Sequence, residues 1–201
     1  MTYEQAIAFL KTKTPLRISV GGDIGSGKST FSKHLAEVLD APRIYIGQFM
    51  REEAKSRDLT LDAFNELLEQ DDEIDRLMDQ KTHEASKKEE RGVFEGRVAW
   101  HFVEAPDAKV YLSVDAKVAA ERIWAEKDND LRDSYGSVEE LVKANKERKQ
   151  NEETRYHTYY DISAYDKKNY DVVMDTTESS IQQVFEETVI AIATFIQEKS
   201  A

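Results

Sequence analysis

The chain has 201 residues, of which 40% are hydrophobic and 34% are charged, and it contains no cysteine. This length fits a single domain, and the lack of cysteine excludes disulfides, cysteine-ligated zinc and thiolate catalysis. A formal net charge of −12 disfavours a nucleic-acid partner, although a small anionic substrate is compatible with locally concentrated basic residues. No apolar run reaches membrane-spanning length and no signal-peptide pattern is present, so we expect a cytoplasmic protein without a membrane partner.

Short apolar segments alternate with helical patterns along the chain. The predicted strands are 16–20, 43–46, 92–95, 109–114 and 170–174, and Gly47 is expected to end the second. Helices are predicted at 1–14, 29–39, 115–126, 137–160 and 179–198, and 48–90 reads as helical with breaks near 58 and 70–72. Ser137 and Glu140 have the spacing of a capping box. The alternation predicts an α/β fold in three layers, with helices on both faces of a five-stranded parallel sheet.

A glycine-rich motif joins the first predicted strand to the next helix. Residues 22–29 read Gly-Asp-Ile-Gly-Ser-Gly-Lys-Ser and match G-x-x-x-x-G-K-[ST] in full, which is the pattern of a P-loop. Glycines let backbone N–H groups point at phosphate oxygens, and the helix N-terminus adds partial positive charge. The predicted nucleoside triphosphate-binding residues are Gly22, Asp23, Ile24, Gly25, Ser26, Gly27, Lys28, Ser29 and Thr30.

Three of these residues have individual expectations. Lys28 is predicted to reach the β- and γ-phosphates, and the Ser29 hydroxyl is predicted to ligate Mg²⁺. Asp23 is unusual in an anion-binding loop, and we expect its side chain to point to solvent.

Further charged residues follow the predicted strands, and the carboxyl ends of parallel strands share one edge of a sheet. Arg51 comes after the second strand and Arg97 after the third. Glu95 ends the third strand, where an acid can hold Mg²⁺ through a water or can simply be exposed. The sequence therefore predicts cationic groups and one acid around the phosphate loop.

The long helix predicted at 137–160 carries a second charged group. Arg148, Glu152 and Arg155 share one face, because they are four and three residues apart. One interpretation is that the arginines neutralise a phosphoryl group during transfer. The other is an exposed strip in which Arg148 and Glu152 form an ordinary i,i+4 ion pair.

These motifs, in this order, resemble the nucleoside monophosphate kinases, and most closely the archaeal-type cytidylate kinases, over about residues 16–190. The segments that carry the likeness are 18–22, 25–29, 47–51, 72–75, 93–97, 121–123, 155–156, 159–160 and 170–176. The resemblance implies transfer of the γ-phosphoryl group of ATP to CMP or dCMP with Mg²⁺, by a monomer. It also implies an acceptor-binding insertion at about 47–90 and a lid at about 126–150, on a core of 15–46, 91–125 and 168–198.

The resemblance implies roles for several residues. Arg51 would bind the acceptor phosphate, Arg97 the acceptor nucleotide, and Arg122 would pack on the ATP base. Asp23 departs from the family, which usually has Pro or Ser at that position. Two alternatives stay open: a kinase of this fold with AMP, UMP or a small metabolite as acceptor, or a nucleotide-binding switch or scaffold with little turnover.

The remaining implied roles concern phosphoryl transfer. Arg148 and Arg155 would contact the transferring and acceptor phosphates, and with Lys28 they form the implied catalytic set. Glu152 would contact the acceptor ribose.

Overall fold

Five parallel strands form the central sheet in the computed structural model, which describes residues 1–70, 72–126 and 135–200. The strands are β1 (Leu16–Gly22), β2 (Arg43–Tyr45), β3 (Arg91–Glu95), β4 (Ala108–Ser113) and β5 (Val172–Asp175). Their order across the sheet is β2-β3-β1-β4-β5, and every neighbouring pair is parallel. The predicted α/β fold is confirmed.

Helices connect the strands and cover the sheet. They are α1 (Tyr3–Thr12), α2 (Lys28–Leu39), α3 (Ile46–Ser56), α4 (Leu61–Gln70), α5 (Asp72–Lys88), α6 (Ala99–Phe102), α7 (Ala116–Ala125), α8 (Val138–Tyr160) and α9 (Ile181–Lys199). A short 3₁₀ turn, Lys167–Asn169, precedes β5. None of the described helices is long and apolar enough to cross a membrane.

Two local predictions need correction. Gly47 does not end a strand, because α3 begins at Ile46 and Gly47 lies in its first turn. At the start of α8, Ser137 accepts the N–H of Glu140 at 3.2 Å, as a cap should. The Glu140 side chain, however, accepts the N–H of Gly136 at 2.9 Å instead of that of Ser137, so only half of the predicted capping box forms.

The main core lies between the sheet and one layer of helices. The apolar side chains of β1, β3 and β4, such as Ile18 and Val110, pack against α2 and α9. Helix α1 packs on the same layer, where Ala6 and Leu10 are fully buried. A second cluster around Phe94 contains residues of α5 and α6 and covers the other face. The three-layer arrangement leaves the carboxyl ends of β1, β2 and β3 at one edge, which is where the phosphate loop begins.

Candidate active site

The phosphate loop leaves β1 with backbone conformations that favour glycine. Gly22 has φ +141°, and a Cβ there would lie 2.2 Å from the carbonyl oxygen of Leu112, so no side chain fits. Gly27 has φ +85° and is the N-cap of α2, without a side chain to bond the first amides of that helix. Those N–H groups stay available for an anion, and the helix dipole favours one there.

Lys28 is buried at the base of the loop. Its Nζ donates to the carbonyl oxygens of Gly22 at 3.0 Å and Asp23 at 2.5 Å. Burial, followed by the nearby positive charge of Arg97, holds the pKa of Lys28 well below its usual range. An anionic group bound in front of the loop would favour the charged form of Lys28.

Ser29 and Glu95, the two predicted metal-binding residues, are in direct contact. Ser29 Oγ donates to Glu95 Oε1 at 2.7 Å, and the Glu95 side chain is only 3% exposed. The other carboxylate oxygen accepts from Arg43 Nη2 at 2.5 Å and from Nε at 3.1 Å. The alternative of an exposed acid at the strand end is therefore wrong. A hydroxyl and a carboxylate beside a phosphate loop are oxygen donors of the kind that suits Mg²⁺.

The Asp23 side chain does not point to solvent, contrary to the sequence prediction. It is 16% exposed, and it accepts from Tyr111 Oη at 2.8 Å and Lys149 Nζ at 2.7 Å. The backbone N–H of Val114 donates to its second oxygen at 3.3 Å. The prediction failed because these partners come from distant parts of the chain.

Glu152, on α8, is the buried centre of a charged cluster. Its carboxylate accepts from Arg97 Nε at 2.7 Å, from Arg148 Nε at 3.1 Å and from the hydroxyl of Tyr165. Burial alone would raise the pKa of Glu152, but Arg97 and Arg148 outweigh it and hold that pKa far below the ordinary value. Since Glu152 is 3% exposed and Arg155 6%, the interpretation of this face as an exposed ion-pair strip is wrong.

The two remaining predicted arginines are each held by their neighbours. Arg51 donates to the hydroxyl of Tyr45 and to the carbonyl oxygen of Gly47. Arg122 donates to the Thr176 hydroxyl at 3.0 Å and to the Thr176 carbonyl at 2.6 Å. Both guanidinium groups are therefore oriented before any ligand binds.

A single cleft of about 720 Å³ brings these groups together. Its lining includes residues 24–30 of the loop, together with Glu95, Glu152, Arg51, Arg97, Arg122, Arg148 and Arg155. Of the predicted site residues, only Gly22 and Asp23 lie outside this lining. The part of the predicted lid at 127–134 lies outside the described residues.

Comparison with known proteins agrees with this geometry. Residues 18–144 match the family described as "AAA domain". A cytidylate kinase of Methanospirillum hungatei is 30% identical over 169 residues, 84% of this chain and 92% of the relative. A cytidylate kinase of Natronomonas pharaonis is 35% identical over 180 residues, 88% of this chain and 90% of the relative.

The chain belongs to the cytidylate kinase family. The membership makes it a P-loop phosphotransferase. The fold extends to more distant kinases: a gluconokinase from Sinorhizobium meliloti superposes with a TM-score of 0.59 at 16% identity, covering 92% of this chain and 96% of the other.

Several contacts of this kinase had no sequence signal. Arg43, which binds Glu95, lies in β2 and belongs to no motif. Tyr165, which binds Glu152, lies in an irregular segment between α8 and the 3₁₀ turn. Lys149 and Tyr111 carried no motif. Each of these residues donates a hydrogen bond to a carboxylate in or behind the cleft. The partners are brought together only when distant segments of the chain pack in the fold.

Proposed function

We propose that the chain transfers the γ-phosphoryl group of ATP to CMP or dCMP, with Mg²⁺, giving ADP and CDP or dCDP. One observation carries the proposal: the cleft that holds the phosphate loop also holds the Arg97–Glu152–Arg148 cluster, with the buried Glu152 carboxylate at its centre. A protein that only binds or hydrolyses one nucleotide has no need of a second cationic site in the same cleft. A kinase with a phosphorylated acceptor needs both.

The loop side of the cleft is the proposed ATP site. The amides at the start of α2 and the Lys28 ammonium would hold the β- and γ-phosphates. Arg122 would lie against the adenine base at the end of the cleft near Thr176, where its guanidinium is already fixed. Mg²⁺ would be held by Ser29 Oγ and, through a water, by Glu95, and when bound it would neutralise charge on the phosphates.

The opposite side is the proposed acceptor site. Arg51 and Arg97 would bind the phosphate of the monophosphate, and Glu152 would accept a hydroxyl of its sugar. A guanidinium suits this task because its planar fork binds two phosphate oxygens at once. Glu152 fixes Arg97 in place, so less conformational entropy is lost when the acceptor binds.

The reaction needs alignment more than covalent chemistry. An oxygen of the acceptor phosphate attacks the γ-phosphorus of ATP, and the bond from that phosphorus to the bridging β,γ-oxygen breaks. ADP leaves with the bonding electron pair. Lys28, Arg148 and Arg155 would stabilise the charge spread over the moving phosphoryl group. Closure of about 47–90 and 126–150 over the ligands would exclude water, which otherwise competes as acceptor.

A coupled assay of ADP release tests the proposal, with AMP, CMP, UMP, GMP and dCMP as acceptors. We expect CMP and dCMP to give the highest kcat/KM, UMP less, and AMP or GMP little. A Lys28→Met preparation controls for contaminating kinases. A roughly tenfold preference for AMP would refute the cytidylate assignment and leave a monophosphate kinase. ATP hydrolysis that no monophosphate accelerates would favour the switch or scaffold alternative.

A further inference from the structure

Asp23 connects the phosphate loop to two other parts of the fold. Its Oδ1 accepts from Tyr111 Oη on β4 at 2.8 Å and from Lys149 Nζ on α8 at 2.7 Å. We call Asp23, Tyr111 and Lys149 the loop–helix bridge. A carboxylate in an anion-binding loop repels phosphate unless a cation neutralises it, and Lys149 supplies that cation.

The bridge is partly shielded from water. The Asp23 side chain is 16% exposed and the Lys149 side chain 44%. Burial tends to raise the pKa of Asp23, but hydrogen bonds from Lys149 and Tyr111 outweigh burial, so the pKa lies below its ordinary value. The carboxylate is therefore ionised at neutral pH, and the contact with Lys149 is an ion pair.

Lys149 also touches the charged cluster around Glu152. Its Nζ lies 4.5 Å from the centre of the Tyr165 ring, and the Tyr165 hydroxyl donates to Glu152. On α8, Lys149 directly follows Arg148, so the two side chains leave the helix about 100° apart. This part of α8 is therefore held at two places. Lys149 binds Asp23 in the phosphate loop, and Glu152 binds Arg97, which follows β3.

We propose that Asp23 is a positioning residue. It holds Lys149 and thereby fixes the position of α8 relative to the phosphate loop, so that Arg148 faces the phosphoryl group bound there. This inference rests on the proposed function. Asp23 acts through Lys149 and not on the nucleotide, because Asp23 lies outside the lining of the cleft and its carboxylate faces Tyr111, Lys149 and the N–H of Val114. The bridge therefore links the ATP side of the cleft to the arginines of the transfer site.

Four variants test this role: Asp23→Asn, Lys149→Met, the double variant, and Lys143→Met as control. Lys143 lies on the same helix with a side chain that is 79% exposed, so its replacement removes the same charge without touching the bridge. Each single bridge variant should lower kcat about tenfold while the KM values for ATP and the best acceptor stay within about twofold. The double variant should lose no more than either single one, because one replacement already breaks the bridge. Lys143→Met should behave as wild type.

Hydrogen exchange without nucleotide gives a second readout that does not need kinase activity. Asp23→Asn and Lys149→Met should both speed exchange of the α8 amides around 145–156, and Lys143→Met should not. Wild-type kcat in both bridge variants, losses that add in the double variant, or unchanged exchange in both would overturn the proposal. If the wild-type chain phosphorylates no monophosphate, the proposed function fails, and the exchange data alone decide whether Asp23 positions α8.

Discussion

Replacing Glu152 by glutamine should destabilise the fold much more than an ordinary helix ion pair would. The side chain is 3% exposed, and it accepts from Arg97 at 2.7 Å, from Arg148 at 3.1 Å and from Tyr165. Glutamine keeps the size and one acceptor oxygen but removes the charge that the two partly exposed guanidinium groups share. Breaking a buried ion pair at one partner costs about 3 kcal/mol in free energy of unfolding.

The pH dependence of this loss identifies its cause. The folded-state pKa of Glu152 is lowered, so its contribution to stability is fully present above the unfolded pKa and is lost as pH falls towards the folded pKa. With an unfolded value of about 4.3, the difference between wild type and Glu152→Gln should shrink by about 1.7 kcal/mol from pH 5 to pH 3. Above pH 6 the difference should stay constant.

Urea unfolding at several pH values measures both effects. Glu147→Gln is the matched control, because Glu147 lies on the same helix, is 65% exposed and pairs with Lys143 at 3.8 Å. Glu147→Gln should lower the free energy of unfolding by less than about 0.5 kcal/mol at every pH. A Glu152→Gln penalty as small as that of the control, or one independent of pH, would refute the picture of a buried cluster centred on this carboxylate.

Three further outcomes follow from the loop and from α8. Lys28→Met should lower kcat by a factor of about 100 or more with an unchanged circular dichroism spectrum, because the ammonium acts on phosphate charge. Gly22→Ala should prevent folding, since its Cβ would lie 2.2 Å from a backbone oxygen. At Gly27 an added Cβ meets nothing within 4 Å, so Gly27→Ala should lower the free energy of unfolding by only about 1–2 kcal/mol. Melting curves distinguish the two variants. Arg148→Ala should lower kcat with little change in acceptor KM, whereas Arg155→Ala should also raise that KM; equal effects in steady-state kinetics would contradict this division of roles.

The fold and the loop could be predicted because both depend on local patterns. Apolar periodicity identified the five strands and the long helices. The motif at 22–29 itself includes both the glycines that form the turn and the groups that would bind phosphate. Gly47 was misread because a glycine after an apolar strand usually ends it. Here α3 already begins at Ile46, so the chain turns directly from β2 into a helix.

The supporting contacts of the site could not be predicted because they join residues far apart in sequence. Arg43 meets Glu95 across 52 positions, and Asp23 meets Tyr111 across 88 and Lys149 across 126. Arg43, Tyr111 and Lys149 are ordinary charged or polar residues outside any motif. The three-residue spacing of Glu152 and Arg155 predicted a shared helix face correctly, but whether that face was buried depended on how α8 packs against the end of β3.

Inhibition by a bisubstrate analogue, adenosine joined to cytidine through five phosphates, tests most directly whether the cleft holds both nucleotides at once. We expect one analogue to bind per chain and to compete with both ATP and CMP in steady-state kinetics. The affinity should fall in Lys28→Met, on the loop side, and in Arg97→Met, on the opposite side. Competition with ATP alone, or two analogues bound per chain, would contradict a single site in which the phosphate loop and the Arg97–Glu152–Arg148 cluster act together.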